Sequence, residues 1–477
     1  MATAQRPSLD ERRSAAAARL RAFGQQHLLH FWDRLSDPAR SSLLDEIDAL
    51  PLEMLQRAFV DQSAAPKPDP HSILPVDPVV MDRVDTERYV REGSAVIAGN
   101  RVAAFTVAGG QGTRLGSDAP KGTFPATPIL RKSLFEVFAE SIGAARARWS
   151  ARIPWLIMTS PLNHDATGRF FAAHDWFGLG QESVHLIVQG TLPSLDRAGR
   201  VLLATESAIA LNPDGHGGAV RALDQSGWLN RLAREGIDTL SYFQVDNPLC
   251  KPVDALFIGL HHAHPDSSGE VSSKVVAKTS AAEKVGVFCQ RGNSRFVMEY
   301  SNMPREMTEA RDAEGALLHR AGSIAVHVFG VPFLQRLVRE GHGLPLHRAL
   351  KRVPCIDPDT GTHSVPTEPN AIKLESFIFD TVPAARRALV AQTTRTEEFA
   401  PIKNAVGEDS PATSSALQSE RAAQWLERCG VRIARDAATG RCLAEIELSP
   451  RTALDAAALA TCATLPARIG AGERLTI

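Results

Sequence analysis

The stretch Val102-Ala-Ala-Phe-Thr-Val-Ala-Gly-Gly-Gln-Gly-Thr-Arg-Leu-Gly116 decides how this chain folds. Its first seven residues are apolar except for Thr106, the composition of a parallel strand buried on both faces. A loop containing Gly109, Gly110 and Gly112 follows at once. Glycine reaches backbone conformations closed to other residues, and it lets N–H groups approach an anion closely. Successive N–H groups in such a loop, which includes Thr113, form a nest for phosphate. Arg114 offers a planar donor fork, and Lys121 a compact positive charge. Two commoner glycine signatures do not fit. The dinucleotide fingerprint needs Gly-x-Gly-x-x-Gly, and Gly116 arrives one residue late. The Walker loop ends in Gly-Lys-Ser/Thr, whereas Gly116 is followed by Ser117-Asp118.

Working outward, Ser133 to Trp149 reads as a helix opened by Ser133 and Glu136 as a capping box. Ile153–Thr159, Val184–Val188 and Leu240–Val245 read as further strands. Strands alternating with helices predict an α/β fold: a doubly wound, Rossmann-like sheet with its ligand site at the carboxyl ends of the strands. Val271–Lys278, Val285–Cys289 and Arg295–Tyr300 are strand candidates, the last two joined by the hairpin signal Gln290-Arg-Gly-Asn-Ser294. The first 60 residues read as helical, with Ser8 and Glu11 as a capping box, apolar residues from Leu20 to Leu35 near helical spacing, and a second helix from about Ser41 to Val60. Pro66, Pro68, Pro70, Pro75 and Pro78 make residues 62–79 a linker or surface strap. The predicted organisation is a helical region and linker over 1–95, an α/β domain carrying the glycine loop over 96–380, and a small C-terminal domain over 381–477.

The chain has 477 residues, 44% hydrophobic and 22% charged, enough for a large core in two or three domains. With 53 basic and 54 acidic residues the net charge is -1, so no general attraction to nucleic acid or membranes is expected. Six scattered cysteines include no Cys-x-x-Cys pair. With no apolar core near the N-terminus and no membrane-length apolar run, a cytoplasmic location is expected. His261-His-Ala-His264 reads as the end of a helix before Pro265 and matches no zinc spacing.

Gly109-Gly-Gln-Gly-Thr-Arg-Leu-Gly116 followed by Pro120-Lys-Gly122 resembles the signature of the UDP-sugar pyrophosphorylases, most nearly the eukaryotic-type UDP-N-acetylglucosamine pyrophosphorylase branch. The similarity recurs in the family's order at Gln189-Gly-Thr-Leu-Pro193, Pro213-Asp-Gly-His-Gly-Gly218, Gln244-Val-Asp-Asn-Pro248, Glu299-Tyr-Ser301, Ala371-Ile-Lys-Leu-Glu375 and Glu398-Phe-Ala-Pro-Ile-Lys-Asn404. The resemblance implies a nucleotide-diphospho-sugar transferase sheet and a reaction in which a sugar 1-phosphate oxygen attacks the α-phosphorus of UTP and pyrophosphate leaves. The nucleophile is already an anion, so such a site needs cations, amides and a divalent metal more than a base.

By the resemblance, Arg114 and Lys121 neutralise the triphosphate, Lys373 contacts phosphate on the sugar side, and Lys403 is a further phosphate contact. Asp246 reads either as a helix N-cap or as a magnesium ligand at a strand end, and the resemblance favours magnesium. Gln189 suits the uracil edge, and Gly215, His216 and Gly217 the nucleoside. Gly286, Glu299 and Ser323 are placed on the sugar side. The implied partners are UTP and a sugar 1-phosphate, N-acetylglucosamine 1-phosphate first, with Mg2+ as cofactor.

Two positions depart from that branch, which has asparagine where this chain has His216 and favours asparagine where it has Ser323. Exchanging polar groups in a buried sugar pocket changes discrimination. A UTP–glucose-1-phosphate or broad-specificity enzyme is therefore the alternative within the class. From other classes come a noncatalytic nucleotide-sugar binder and, more distantly, a nicotinamide oxidoreductase.

Overall fold

The computed structural model describes residues 7–64, 72–341, 344–462 and 464–477. By packing the chain divides into two compact units. One comprises residues 1–68, 190–218 and 344–378; the other comprises 69–189, 219–343 and 379–477. The division follows packing and not chain order, unlike the contiguous bounds at 95 and 380.

The larger unit is built on a mixed sheet of 11 strands, whose main path comprises, in chain order, β1 (Val79–Val80), β2 (Val102–Val107), β3 (Trp155–Thr159), β4 (Val184–Val188), β5 (Thr239–Gln244), β6 (Val271–Ala277), β7 (Ala321–Gly330) and β8 (Ala388–Gln392). Their spatial order is β1-β8-β6-β7-β5-β2-β3-β4. The run β5-β2-β3-β4 is parallel throughout, and β7 lies antiparallel between β5 and β6. β2 is the expected doubly buried strand: Val102, Ala103, Ala104 and Phe105 are all at 0% exposure. Its apolar faces demand helices on both sides, and such a sheet puts strand exits on one edge. The Leu134–Trp149 helix starts at Ser133, whose hydroxyl accepts the Glu136 N–H at 3.1 Å.

The hairpin forms from Val287–Arg291 and Ser294–Met298, with Arg291 opposite Ser294 and Gly292 at φ 55° in the turn. The first strand starts two residues later than its predicted bound. Of the proline-rich stretch, Pro66, Pro68 and Pro70 lie outside the described residues. The rest is not a linker. Leu74–Pro75 pairs with Val287–Arg291, β1 pairs with β8, and Ile73 and Val76 are buried. Proline is tolerated there because an edge strand does not need every N–H. The tail carries its own apolar cluster, in which Trp425 and Leu426 of the Pro411–Arg428 helix pack with Ile446, Leu459 and Ile469.

In the smaller unit, the Leu9–Ala22 helix opens with the predicted Ser8–Glu11 capping box and ends before Gly24, at φ 67°. Leu28 and Phe31 are buried, but Leu28 sits on the short 3-10 turn Gln26–Leu29 and Phe31 precedes another at Trp32–Arg34, so the Leu20–Leu35 periodicity does not mark one helix. The predicted second helix is two, Asp37–Ala49 and Leu52–Ala64, broken where Leu50 turns extended before Pro51. These helices share one core with Leu192, Leu195, Val201, Ile372 and Leu374. Among the described residues no helix is long and apolar enough to cross a membrane.

Candidate functional site

In the larger unit, β2 ends at Val107 and the glycine loop begins at its carboxyl end. The loop is folded on itself: the Gly112 N–H donates to Ala119 O (3.0 Å), the Ser117 N–H to Gly112 O (3.1 Å), and the Lys121 N–H to Gly110 O (3.1 Å). The backbone amides of Gly109, Gly110 and Gln111 have no hydrogen-bond acceptor among the described residues, leaving three donors for an anion.

The expected glycine conformations are only partly found. Gly109, Gly110 and Gly112 do not adopt positive φ; that conformation falls on Gly116, at 74°. Gly109 lies close against Gln189: a Cβ there would lie 2.6 Å from Gln189 Oε1 and would require that amide to move. A Cβ on Gly110 would meet nothing within 4 Å. Gln189, 6% exposed at the end of β4, is thus placed against the loop, its own N–H donating to Thr159 O at 2.7 Å.

Asn163 holds the loop from beneath and was not singled out from the sequence. It is fully buried; its Nδ2 donates to Ala108 O (2.9 Å) and Gly110 O (3.2 Å), and its Oδ1 accepts the Ser160 N–H (2.8 Å). An asparagine just before a helix reads locally as a cap, yet its side chain caps nothing in the His164–Ala173 helix.

Lys121 and Asp246 meet. Lys121 Nζ lies 3.3 Å from Asp246 Oδ2, with side chains 16% and 15% exposed. Asp246 follows β5, the parallel neighbour of β2, so adjacent strand exits carry the pair. Burial by itself raises the Asp246 carboxyl; Lys121 and Lys403 outweigh it and hold it below the ordinary aspartate value. Asp246 does not cap the next helix. That role belongs to Asp254, whose Oδ1 accepts the Leu256 N–H at 3.1 Å. Lys403 also pairs with Asp409 at 3.5 Å. Arg114 and Thr113 are exposed, and Arg114 makes no ion pair among the described residues.

Gly286, Glu299 and Ser323 come together. The Ser323 N–H donates to Gly286 O at 2.8 Å, and a Cβ on Gly286 would lie 3.1 Å from Glu299 Oε1. Ser323 stands where β7 bulges: Val275 of β6 faces Ser323 and Ser273 faces His327, so Ile324, Ala325 and Val326 oppose Lys274 alone. Ala325 takes φ 55° there, and such a bulge re-aims neighbouring side chains.

The smaller unit holds Gly215, His216, Gly217 and Lys373. A Cβ on Gly215 (φ 85°) would lie 2.4 Å from Ser376 O, and one on Gly217 would lie 2.6 Å from Phe377 N. The second glycine loop is therefore packed directly on backbone. His216 stacks on Phe377 at 5.2 Å and accepts the Ile378 N–H through Nδ1 at 3.1 Å. Burial, with His347 nearby, pushes its imidazole down to about 4. It is neutral near pH 7. Lys373 is part-buried on the Ala371–Ser376 strand, alternating with core residues Ile372 and Leu374. Burial and Lys351 lower its ammonium, against the opposing pull of Glu375. The His261-His-Ala-His264 cluster is structural: His261 Nδ1 meets Ser272 Oγ and His262 Nε2 meets Thr239 Oγ1, both at 2.8 Å.

A glycine loop at one strand exit, a Lys–Asp pair reaching the next, and a glutamine against the loop define an α/β protein built to handle a nucleotide's phosphates. Comparison with known proteins narrows this class. A sequence model of the UTP–glucose-1-phosphate uridylyltransferase family matches residues 53–419. The chain is 36% identical over 441 residues to UDP-N-acetylhexosamine pyrophosphorylase-like protein 1 of Xenopus tropicalis, covering 87% of this chain and 86% of that one. It is 35% identical over 431 residues to UDP-N-acetylglucosamine pyrophosphorylase of Saccharomyces cerevisiae, covering 85% and 90%. The solved structure of the Trypanosoma brucei uridine diphosphate N-acetylglucosamine pyrophosphorylase in complex with inhibitor superposes with a TM-score of 0.79 at 25% identity, covering 96% of this chain and 95% of that one. The chain belongs to the UTP–glucose-1-phosphate uridylyltransferase family.

Proposed function

We propose that this protein transfers a uridylyl group from UTP to a sugar 1-phosphate, N-acetylglucosamine 1-phosphate in the first place, and releases pyrophosphate. The observation that carries the reading is the Lys121–Asp246 pair at 3.3 Å beside a loop with three uncommitted amides. The sugar phosphate oxygen forms a bond to the α-phosphorus as the bond from that phosphorus to the bridging oxygen breaks. The electron pair leaves with pyrophosphate, and no proton has to move. The residues' task is to bring two anions together and to hold charge on the leaving group.

In this reading the amides of Gly109, Gly110 and Gln111 bind phosphate oxygens, with Lys121 and exposed Arg114 neutralising them. Gln189 takes the base edge, and Gly215, His216 and Gly217 take the nucleoside. Gly286, Glu299 and Ser323 line the sugar, and Lys373 and Lys403 supply charge for the phosphates. Asp246 suits Mg2+: one carboxylate at a strand end, held ionised, matches a metal that takes few protein ligands and completes its shell with phosphate and water. When bound, Mg2+ supplies Lewis-acid neutralisation of the triphosphate. His216 and Ser323, the two departures from the N-acetylglucosamine branch, keep glucose 1-phosphate as the second substrate candidate.

The test is pyrophosphate release from UTP and Mg2+ with N-acetylglucosamine, N-acetylgalactosamine, glucose and galactose 1-phosphates, beside Lys121→Ala. Release with one of these sugars, lost in the variant, supports the reading and names the substrate. UTP binding without release from any of them turns it toward a noncatalytic binder.

A further inference from the structure

The segment from Phe399 to Asn404 carries Lys403 but has no helix or strand to hold it. Its position depends on bonds from elsewhere: from the exit of β5, two reach the segment and one reaches the flanking Glu398. Asn247 Nδ2 donates to Glu398 O at 2.6 Å, Asn247 Oδ1 accepts the Ala400 N–H at 3.0 Å, and Asp246 O accepts the Ile402 N–H at 2.8 Å. Asn247 is 4% exposed, so its amide has exchanged water for these backbone groups. Each bond is costly to leave unmade in such surroundings.

The near end of the segment is anchored again. Glu398, 1% exposed, ion-pairs through Oε2 with Lys274 Nζ, and its Oε1 accepts from Thr393 Oγ1 at 3.1 Å. Lys274 is wholly buried and also meets Asp254 Oδ2 at 2.5 Å. A buried charge is kept only where partners surround it, so Glu398 has little freedom to move. Lys403 directly follows Ile402, whose N–H is held on Asp246 O, so the course of this segment sets where Lys403 stands beside Asp246.

We propose that Asn247 is a positioning residue for uridylyl transfer, pinning residues 398–402 to the exit of β5 so that Lys403 and Asp246 keep their relation. The inference rests on the uridylyltransferase reading for its effect on rate, but not for its effect on the segment. With its amide committed to the backbone of Glu398 and Ala400, Asn247 acts through the backbone it holds.

The test compares wild type, Asn247→Ala and Asn247→Asp as full-length protein, the Asp variant keeping the oxygen that accepts the Ala400 N–H. Amide hydrogen exchange is followed over residues 399–404, with kcat and KM for the preferred sugar 1-phosphate. In Asn247→Ala, faster exchange confined to this segment is expected, with kcat down about 10²-fold, the scale of an ångström-sized misplacement, and KM changed far less. Asn247→Asp should lie between. Should an Ala variant fail to fold, the Asp variant carries the same comparison. Unchanged exchange, or faster exchange with unchanged kcat, overturns the proposal. If the wild type releases no pyrophosphate, the function reading fails separately. Exchange and Mg2+-dependent UTP affinity then decide the linkage, unchanged values in Asn247→Ala overturning it.

Discussion

Lys121 and Asp246 face each other at 3.3 Å across the exits of two adjacent parallel strands, one reached through the glycine loop and the other directly. In the proposed reaction a triphosphate and a divalent cation would meet this lysine and this carboxylate. Replacing Lys121 with Ala is expected to cost about 10²–10³-fold in kcat, as for losing one charge-stabilising donor, with the circular dichroism spectrum retained. Asp246→Asn is expected to raise the Mg2+ concentration for half-maximal rate by about tenfold or more, since even indirect supports of a metal cost that much. A magnesium titration of the initial rate checks it; an unshifted curve removes Asp246 from the metal site.

Gly109 and Gly110 are neighbours with opposite requirements. A Cβ at 109 would lie 2.6 Å from Gln189 Oε1, while one at 110 would meet nothing within 4 Å. Gly109→Ala should therefore displace the Gln189 side chain and weaken UTP binding. Gly110→Ala should leave the thermal midpoint near wild type, and any loss in UTP affinity would then report a ligand's approach to the loop. Calorimetric titration with UTP, alongside thermal unfolding of both variants, separates the two effects.

Acid should destabilise the protein in part through His216. Its folded pKa, about 4, lies below the usual 6.5, so the unfolded chain binds the proton more readily. The stability contributed by neutral His216 is complete above pH 6.5 and is lost as pH falls from there through 4. His261, pushed to about 3, works in the same direction. Urea midpoints measured between pH 7.5 and 4 should fall less steeply in His216→Asn, which keeps an acceptor for the Ile378 N–H.

Lys274 sits between Asp254 and Glu398 with no exposure of its own side chain. Lys274→Met would leave buried Glu398 and part-buried Asp254 without their cation, a loss on the order of 3–5 kcal/mol. Adding Asp254→Asn and Glu398→Gln should recover much of it, because asparagine can still cap the Ala255–Ala263 helix. Denaturant unfolding of the single and triple variants checks this. A single variant as stable as wild type would show that the triad is not closed to water.

Much of the architecture was legible from local chemistry. The apolar run at Val102, the Ser8–Glu11 and Ser133 caps and the Gly292-Asn293 hairpin all formed within a residue or two of where they were read, because each is encoded by φ/ψ preference and periodicity over a short window. The helical reading of Leu20 to Leu35 failed where apolar spacing came from packing instead: Leu28 enters the same core from a short turn and Phe31 from the residue before another.

By itself, then, the sequence determined the parallel strands, the glycine loop at the end of β2, the candidate binding residues and the family. The tertiary structure decided what those residues answer to. It made Gly109 a matter of space beside Gln189, recruited Asn163 and Asn247 as clamps on loops they do not belong to, and joined residues 190–218 and 344–378 to the N-terminal helices in one core. The reason is physical: backbone preference acts over a few residues and can be read along the chain. A hydrogen bond or a charge pair between distant segments exists only after burial has closed the chain and set its geometry.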